Sequence, residues 1–324
     1  MNNRKKYVYI CSIGCLCLVT ALLAEPILKV LTSREMVSLI LLLETGQTLQ
    51  TAPTEVTELP TEPTEPSTEP AEKPTLPHFS QADAALVQVN SYCGYAPEVE
   101  TWLAQPLSWD LQQTEPSVLI LHSHATESYV NLEGYKETVP YRTLDENYNM
   151  VSIGDVLGYW LESAGIGVVH DKTLHDSPSY SAAYENSRQS AQKYLQQYPS
   201  IRLILDLHRD SVEDSSGNQV RYTLETADGT AARLMLVVGT DAGGLTHTKW
   251  SENMSLAVKL QAQLEKANPG ICRPISFRTQ RFNQDLSTGA LLLEMGSAGN
   301  TRDEVLRSTK LLADAIITLS KGTE

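Results

Sequence analysis

The sequence predicts an α/β domain with a mostly parallel central sheet and helices on both faces, preceded by a transmembrane helix and a disordered stalk. From Ser117 onward, short aliphatic runs alternate with segments of helical periodicity, a pattern typical of parallel sheets. The runs, such as Val118 to Leu121, lack polar residues, which indicates strands buried on both faces. Before them stand a basic N-terminus, an apolar stretch and a tract of Thr, Pro and Glu.

Residues 1–26 are predicted to form an N-terminal signal anchor. Three basic residues precede an apolar run from Tyr7 to Ala24, which is about long enough to span a bilayer. The positive-inside rule places the basic residues in the cytoplasm. Cleavage after Ala24 is an alternative, although Leu22 is a poor match to the small residue that a cleavage site prefers. We expect a single-pass protein of the cell membrane whose folded domain is extracytoplasmic.

Three segments connect the anchor to the domain. Residues 27–50 predict a juxtamembrane helix, and residues 51–77 are a linker rich in Thr, Pro and Glu. Such a composition cannot bury a core, so the linker is expected to be an extended stalk. Residues 78–114 are a lead-in segment that we expect to pack onto the domain, which comprises residues 115–324.

Composition excludes one class of partner. The formal net charge is −14 and no basic patch is present to neutralise phosphates, so we expect no nucleic-acid partner. Cys93 and Cys272 are the only cysteines outside the N-terminal apolar run. They could form one disulfide if the domain lies outside the cytoplasm.

The periodicity of the domain predicts its elements in order. Apolar residues at helical spacing predict four helices, at residues 149–164, 179–198, 251–267 and 301–320. Aliphatic runs predict five strands, at residues 118–121, 166–169, 201–207, 233–238 and 290–293.

Two histidines and a glutamate follow the first of these strands. His122, His124 and Glu127 lie just beyond its carboxyl end, the edge at which open α/β sheets bind ligands. Imidazole and carboxylate groups suit Zn²⁺, and a catalytic zinc takes three protein ligands and a water. Because residues two apart in an extended segment face opposite ways, we expect only one of the two histidines to bind zinc directly. The sequence leaves open which one.

Two later strands end in groups of the same kind. His208 is surrounded by Asp206, Arg209 and Asp210, and burying so many charges without function is costly. His208 is therefore predicted to be a further zinc ligand, and Asp206 an acceptor that fixes its tautomer. Glu294 follows three leucines, and burial there raises the pKa of a carboxyl group, as a general base or acid requires. We predict that Glu294 is catalytic.

Several motifs, in order, resemble the family of stage II sporulation protein P. The resemblance covers about residues 115–320. It is carried by His122-Ser-His-Ala-Thr-Glu-Ser-Tyr129, Asn149-x-x-x-Ile-Gly-Asp-x-Leu157, His170-Asp-Lys-Thr173, Ser187-Arg188, Asp206-x-His-Arg-Asp-Ser211, Phe282-Asn-Gln-Asp-Leu286, and Glu294-x-Gly296 followed by Asn300-Thr301.

That family belongs with the zinc-dependent N-acetylmuramoyl-L-alanine amidases. The resemblance implies cleavage of the amide between the stem peptide and N-acetylmuramic acid of peptidoglycan, with stem-peptide cross-links as a further target. It also implies thinning of the septal wall and engulfment during sporulation, alongside other wall hydrolases of the septum. Residue by residue, it supports the His122 and His124 pair and His208 at the zinc, and Glu294 as the catalytic glutamate.

The resemblance leaves one ligand open. The general amidase pattern has a glutamate ligand at the start of the first helix, and Glu146 lies just before that helix. Glu146 and Glu127 therefore compete for the role. Arg188, Arg209 and Gln284 are candidates for contacts with substrate carboxylates or amides.

Two rival functions remain. A zinc carboxypeptidase also uses an H-x-x-E pair, such as His124 and Glu127, with a distant histidine. The other rival is a catalytically inactive wall-binding module with a structural metal. An open site that contains carboxylates argues against the module, since structural zinc sites are closed and usually rich in cysteine.

Overall fold

The computed structural model describes residues 79–107, 111, 115–130 and 141–321. The helices in these ranges are α1 (Gln81–Ala84), α2 (Val99–Ala104), α3 (Met150–Ser163), α4 (Ala183–Gln197), α5 (Trp250–Ala267) and α6 (Arg302–Lys321). The strands are β1 (Val89–Ser91), β2 (Val118–Leu121), β3 (Val168–His170), β4 (Leu203–Asp210), β5 (Thr223–Thr226), β6 (Gly229–Ala232), β7 (Met235–Val238), β8 (Ile275–Phe277) and β9 (Ala290–Ser297). Short 3₁₀ helices cover Tyr180–Ala182 and Gln284–Leu286.

The predicted anchor, juxtamembrane helix and linker, residues 1–77, lie outside the described residues. Within the described ranges, no helix combines the length and the apolar character that a bilayer crossing requires.

Seven strands form one sheet in the order β1-β8-β7-β9-β4-β2-β3. Neighbours in this sheet run parallel, except that β7 and β9 are antiparallel. The predicted mostly parallel sheet is confirmed. β5 and β6 form a separate antiparallel hairpin.

Alternate residues of the central strands contact two different cores. Val118 and Ile120 of β2 belong to a large core that includes residues of α3, α5 and α6. Leu119 and Leu121 belong to a smaller core with Ala191 of α4. Helices therefore cover both faces, as predicted, and burial on both sides explains the uninterrupted aliphatic runs.

The predicted elements are all present, with shifted ends. β4 and β9 run on to Asp210 and Ser297, beyond the predicted ends at residues 207 and 293. His208 and Glu294 thus lie inside the strands rather than after them, and they are direct partners in the β4–β9 ladder.

The lead-in segment contributes to the sheet. Its strand β1 pairs with β8 in parallel. Trp102 of α2 is buried and contacts Phe277 of β8 edge-on, with ring centroids 5.8 Å apart. Neither β1 nor β8 was predicted, because each has only three residues, some of them polar, and lacks an aliphatic run. Cys93, also in this segment, and Cys272 are both free thiols.

Candidate active site

The site lies where β2, β4 and β9 run side by side. His208 of β4 and Glu294 of β9 are paired in register, so their side chains project from the same face of the sheet. His124 and Glu127 follow the end of β2. His124, Glu127 and His208 are each less than 10 % exposed, and together with Glu294 they line one cleft of about 660 Å³.

The ligand-type atoms of these residues are close together. Nδ1 of His208 lies 3.7 Å from Oε2 of Glu127, and the rings of His124 and His208 are 5.4 Å apart between centroids. Nδ1 of His124 and Oε2 of Glu294 are buried and have no hydrogen-bond partner in the described part of the chain. Buried polar atoms are nearly always paired, so these two atoms point to a group that the cleft is built to receive.

Asp206 fixes the orientation of His208. Its Oδ1 lies 2.9 Å from Nε2 of His208, an attraction between charges rather than an aligned hydrogen bond. Ser123 donates its backbone N–H to Oδ1 of Asp206 at 2.7 Å and its hydroxyl to Oδ2 at 2.6 Å. Nε2 of His208 therefore faces Asp206 without an aligned hydrogen bond, and Nδ1 faces Glu127.

The carboxylate of Glu127 is held by residues of β4 and of the loop before α3. Oε2 accepts the backbone N–H of Arg209 at 3.1 Å. The guanidinium groups of Arg142 and Arg209 lie 3.5 and 3.6 Å from Oε1. Glu146, the competing glutamate, is exposed and does not line the cleft. Of the two, only Glu127 is brought together with the histidines.

Burial and charge shift the acid–base properties of the site. Burial raises the pKa of Glu294 to about 8, even though nearby His208 lowers it. For His208, burial lowers the pKa, but Asp206 and Glu127 outweigh it and raise the value to about 9. A bound divalent cation would lower both pKa values, because it favours the carboxylate and the neutral imidazole.

His122 lies in a different contact network from His124. Its Nδ1 donates to the carbonyl oxygen of Leu207 at 3.1 Å, and its Nε2 lies 2.8 Å from Nε2 of His170. The other ring nitrogen of His170 is 3.0 Å from Oδ1 of Asp155. Burial and the neighbouring His170 lower the pKa of His122 to about 3. His124 lines the cleft and His122 does not, in keeping with the alternation of side chains along an extended chain.

Aromatic side chains from α4 and the 3₁₀ turn before it pack on the two cleft histidines. Tyr180 stacks on His124, with ring centroids 4.3 Å apart and planes 11° apart. Tyr184 lies nearly parallel to His208 at 6.3 Å, and Phe282 lies 6.0 Å from Tyr184. Sequence reasoning missed these residues, because Tyr184 has the helical spacing of a core residue and Tyr180 shows no signal.

The three predicted substrate contacts fall in different surroundings. Arg188 forms a two-pronged ion pair with Asp285 at 2.9 and 2.8 Å. Gln284 is 2 % exposed and bridges the N–H of Gly239 and the carbonyl of Val237. Arg209 does line the cleft, although its guanidinium already donates to the carbonyl oxygens of Ser128 and Tyr141.

Within the described ranges, no group of three or more His, Cys, Asp or Glu side chains is arranged so that it could hold a metal ion as it stands. The donors that converge on the cleft are nevertheless of the type that zinc prefers, namely two imidazoles and a carboxylate. Nδ1 of His124, which has no hydrogen-bond partner among the described residues, and Nδ1 of His208, which faces Glu127, fit that role. Tetrahedral ligands at roughly 2.1 Å from one zinc lie about 3.4 Å apart, close to the 3.7 Å between His208 and Glu127.

Among solved structures, the chain is similar to N-acetylmuramoyl-L-alanine amidase AmiC2 of Nostoc punctiforme, at 14 % identity and a TM-score of 0.38, over 63 % of this chain and 94 % of that one. It is also similar to an N-acetylmuramoyl-L-alanine amidase of Clostridium difficile 630, at 14 % identity and a TM-score of 0.37, over 63 % of this chain and 94 % of that one. The N-acetylmuramyl-L-alanine amidase Ami1 of Mycobacterium smegmatis is 12 % identical with a TM-score of 0.37, over 65 % of this chain and 96 % of that one.

Sequence comparison identifies the family. The chain is 32 % identical over 210 residues to stage II sporulation protein P of Bacillus subtilis (strain 168). That match covers 61 % of this chain and 49 % of the relative, so the chain spans about half the length of the curated protein it matches. The family model described as stage II sporulation protein P (SpoIIP) matches residues 33–317, most of the 324-residue chain. The chain belongs to the stage II sporulation protein P family.

Proposed function

We propose that the chain is a zinc-dependent N-acetylmuramoyl-L-alanine amidase that hydrolyses peptidoglycan during sporulation. The observation that carries the proposal is the convergence of buried His124, Glu127 and His208 on one cleft with the partly buried Glu294. Membership of the sporulation family supports the biological setting, thinning of the septal wall and engulfment. Cleavage of stem-peptide cross-links by the same site is part of the proposal.

His124, Glu127 and His208 are the proposed zinc ligands. Bound there, Zn²⁺ would supply Lewis acidity toward the amide carbonyl and a water of lowered pKa. Asp206 keeps Nδ1 of His208 turned into the cleft, and Arg142 and Arg209 hold the Glu127 carboxylate in place. His122 is proposed instead to brace β2 against β4 through the carbonyl of Leu207.

Glu294 is the proposed general base and acid. Its Oε2 is buried and unpaired within the described residues, so it is free to accept a proton from the attacking water. The same oxygen can return that proton to the amide nitrogen as the bond breaks. A carboxyl group whose pKa is raised toward neutrality by burial suits both steps.

The experiment is to digest purified peptidoglycan sacculi with the full-length chain and to identify the fragments by mass. The amidase reaction releases intact stem peptides with a free N-terminal alanine and leaves unsubstituted lactyl groups on the glycan. Release of single C-terminal amino acids would instead identify the carboxypeptidase. Binding to sacculi without any release would identify the inactive wall-binding module.

We also propose that residues 1–26 anchor the chain in the cell membrane and that the linker at residues 51–77 separates the anchor from the domain. In that arrangement, other wall hydrolases of the septum work on the same extracytoplasmic substrate. Protease added to intact, wall-stripped cells should cut the linker, because a Thr, Pro and Glu tract lacks a core to protect it. Full protection of the linker would contradict this topology.

A further inference from the structure

The cleft continues from Glu294 across the neighbouring strands. Met235 of β7 is the register partner of Glu294, and Val237 of β7 is the partner of Ser276 in β8. Residues two apart along a strand share a face. Met235, Val237, Ser276 and Arg278, which directly follows β8, therefore form a continuous row, and all of them line the cleft.

Arg278 differs from the other arginines of the cleft. Arg142 and Arg209 both lie within ion-pair distance of Glu127, at 3.5 and 3.6 Å. Within the described ranges, Arg278 has no carboxylate partner, and its guanidinium carbon lies 5.1 Å from the centroid of the Tyr92 ring. An aromatic ring holds a guanidinium in position without neutralising its charge. A cation is thus available at the end of the row that starts at Glu294.

The length of the row can be estimated from the sheet. Arg278 lies two strand spacings of about 4.8 Å across the sheet from Glu294 and four residues of about 3.3 Å along it, which gives a straight-line distance of roughly 16 Å. An extended peptide covers about 3.3–3.6 Å per residue. The row therefore accommodates about four to five residues of an extended chain.

We propose that this row is the binding groove for the peptide part of the substrate and that Arg278 binds a carboxylate of that peptide. The inference rests on the proposed amidase function and names the ligand of one further part of its cleft, an acidic peptide of about four residues. The floor between the two ends is apolar at Met235 and Val237, which suits small aliphatic side chains. A guanidinium recognises a carboxylate by two parallel charge-assisted hydrogen bonds, so Arg278 sets the specificity for an acidic rather than an amidated peptide.

The test uses the full-length chain and two synthetic muramoyl tetrapeptides that differ only in whether the peptide carboxylates are free or converted to carboxamides. For Arg278→Gln we expect kcat/KM on the free-carboxylate substrate to fall by about 10- to 100-fold, because the loss of hydrogen bonds to a charged group has an effect of that size. The fall should come from a higher KM rather than from a lower kcat. The same variant should cleave the carboxamide substrate as well as the wild type does. Arg202→Gln, which removes an exposed arginine bonded only to nearby carbonyls, is the matched control and should change neither.

Two further measurements keep the inference falsifiable. The wild type itself should prefer the free-carboxylate substrate by the same factor, and Arg278→Lys should restore part of that preference. Direct titration of the free tetrapeptide should show weaker binding to Arg278→Gln in the same proportion. Equal cleavage of both substrates by the wild type, or an equal loss on both in Arg278→Gln, overturns the groove. If the wild type binds the tetrapeptide through Arg278 but cleaves neither substrate, the proposed function fails and the groove stands.

Discussion

At the scale of single residues, the site depends on which nitrogen of each histidine is free. Ser123 and Asp206 leave Nδ1 of His208 directed toward Glu127. Nδ1 of His124 has no hydrogen-bond partner within the described residues and lies 3.9 Å from Oδ2 of Asp176. The two histidines of the His-Ser-His run differ in the residues that they contact. His122 is occupied at both ring nitrogens.

Replacing Glu294 with Gln should reduce amide hydrolysis by about 100- to 10,000-fold, the usual contribution of general acid–base catalysis. Gln is nearly isosteric with Glu but cannot accept the proton of the attacking water, so the fold and the bound zinc should persist. Release of stem peptides, zinc content and circular dichroism would be measured together. The matched control is Glu146→Gln, an exposed glutamate outside the cleft, which should retain activity. Activity of Glu294→Gln within about threefold of wild type would remove Glu294 from the mechanism.

The sequence predicted the acid, base and ligand residues of this site better than the residues that contact them. His208, Glu127 and Glu294 were recognisable because polar groups after aliphatic runs are conspicuous. The stacking of Tyr180 on His124 depends on how the 3₁₀ turn before α4 meets the segment after β2, and no local pattern encodes that approach. Arg188 and Gln284 were chosen for their chemistry, yet their observed partners, Asp285 and the β7 backbone, are distant in sequence.

At the scale of elements, α3 is fitted closely against the His122–His170 pair. A side chain at Gly154 would place its Cβ 2.4 Å from Nε2 of His170 and 2.7 Å from Nε2 of His122. Both distances are far below van der Waals contact. The helix can approach β2 and β3 this closely only because residue 154 has no side chain.

Gly154→Ala should therefore lower the free energy of unfolding by about 1–3 kcal/mol, the usual cost of overpacking. Gly158→Ala, one turn later in the same helix, is the control, since its Cβ would meet Val168 and Ile120 at ordinary distances of 3.7 and 3.9 Å. That variant should be neutral or more stable by up to about 1 kcal/mol, because Ala favours helix over Gly. Denaturant unfolding measures both, and equal effects would contradict the close fit.

A second prediction concerns α2 and α5. Lys259 of α5 is 3 % exposed and donates to the carbonyl of Trp102 in the last turn of α2 at 2.6 Å. Burial lowers its pKa from 10.5 to about 8. Between these values the unfolded chain binds more protons than the folded one, so stability should rise with pH from about 8 to 10.5. Below pH 8 the buried ammonium group destabilises the fold in full.

The unfolding free energy of wild type relative to Lys259→Met should thus increase between pH 8 and 10, by on the order of 1 kcal/mol per pH unit at most. The Met variant lacks the titrating group and isolates the contribution of Lys259 from that of other lysines. A difference that stays constant over this range would show that Lys259 titrates normally.

Elements marked by an apolar stripe or an aliphatic run were predictable, and the other short elements, such as β1, β8 and α2, were not. α3, α5 and α6 have enough turns to display an apolar stripe. β1 and β8 have three residues each and are specified by pairing with each other, which is a tertiary relation. The antiparallel step between β7 and β9 is likewise invisible in the sequence, because an aliphatic run carries no mark of strand direction.

At the scale of the whole molecule, zinc binding should contribute to stability, because the proposed ligands come from two separate parts of the chain. His124 and Glu127 follow β2, and His208 lies in β4. An ion held by both segments binds the folded state preferentially, and at 100 times its dissociation constant it adds about 2.7 kcal/mol.

A chelator should therefore lower the midpoint of thermal unfolding of the wild type, and added Zn²⁺ should restore it. His208→Ala should respond to neither treatment, since too few ligands remain. Scanning calorimetry with and without the chelator makes the comparison. The same zinc-dependent shift in His208→Ala would place the ion elsewhere.

The position of β9 in the sheet has a consequence for the synthesis of the chain. β9 is the last strand to be made, yet it is the only one that joins the half-sheet β3-β2-β4 to the half-sheet β7-β8-β1 among the described strands. Until Ala290 and the residues after it have emerged, the two halves cannot associate through backbone pairing, and Glu294 does not yet exist. Such late, long-range pairing is slow to form. If the proposed function holds, the site stays incomplete until β9 has been synthesised, and a chain truncated before β9 should not hydrolyse peptidoglycan.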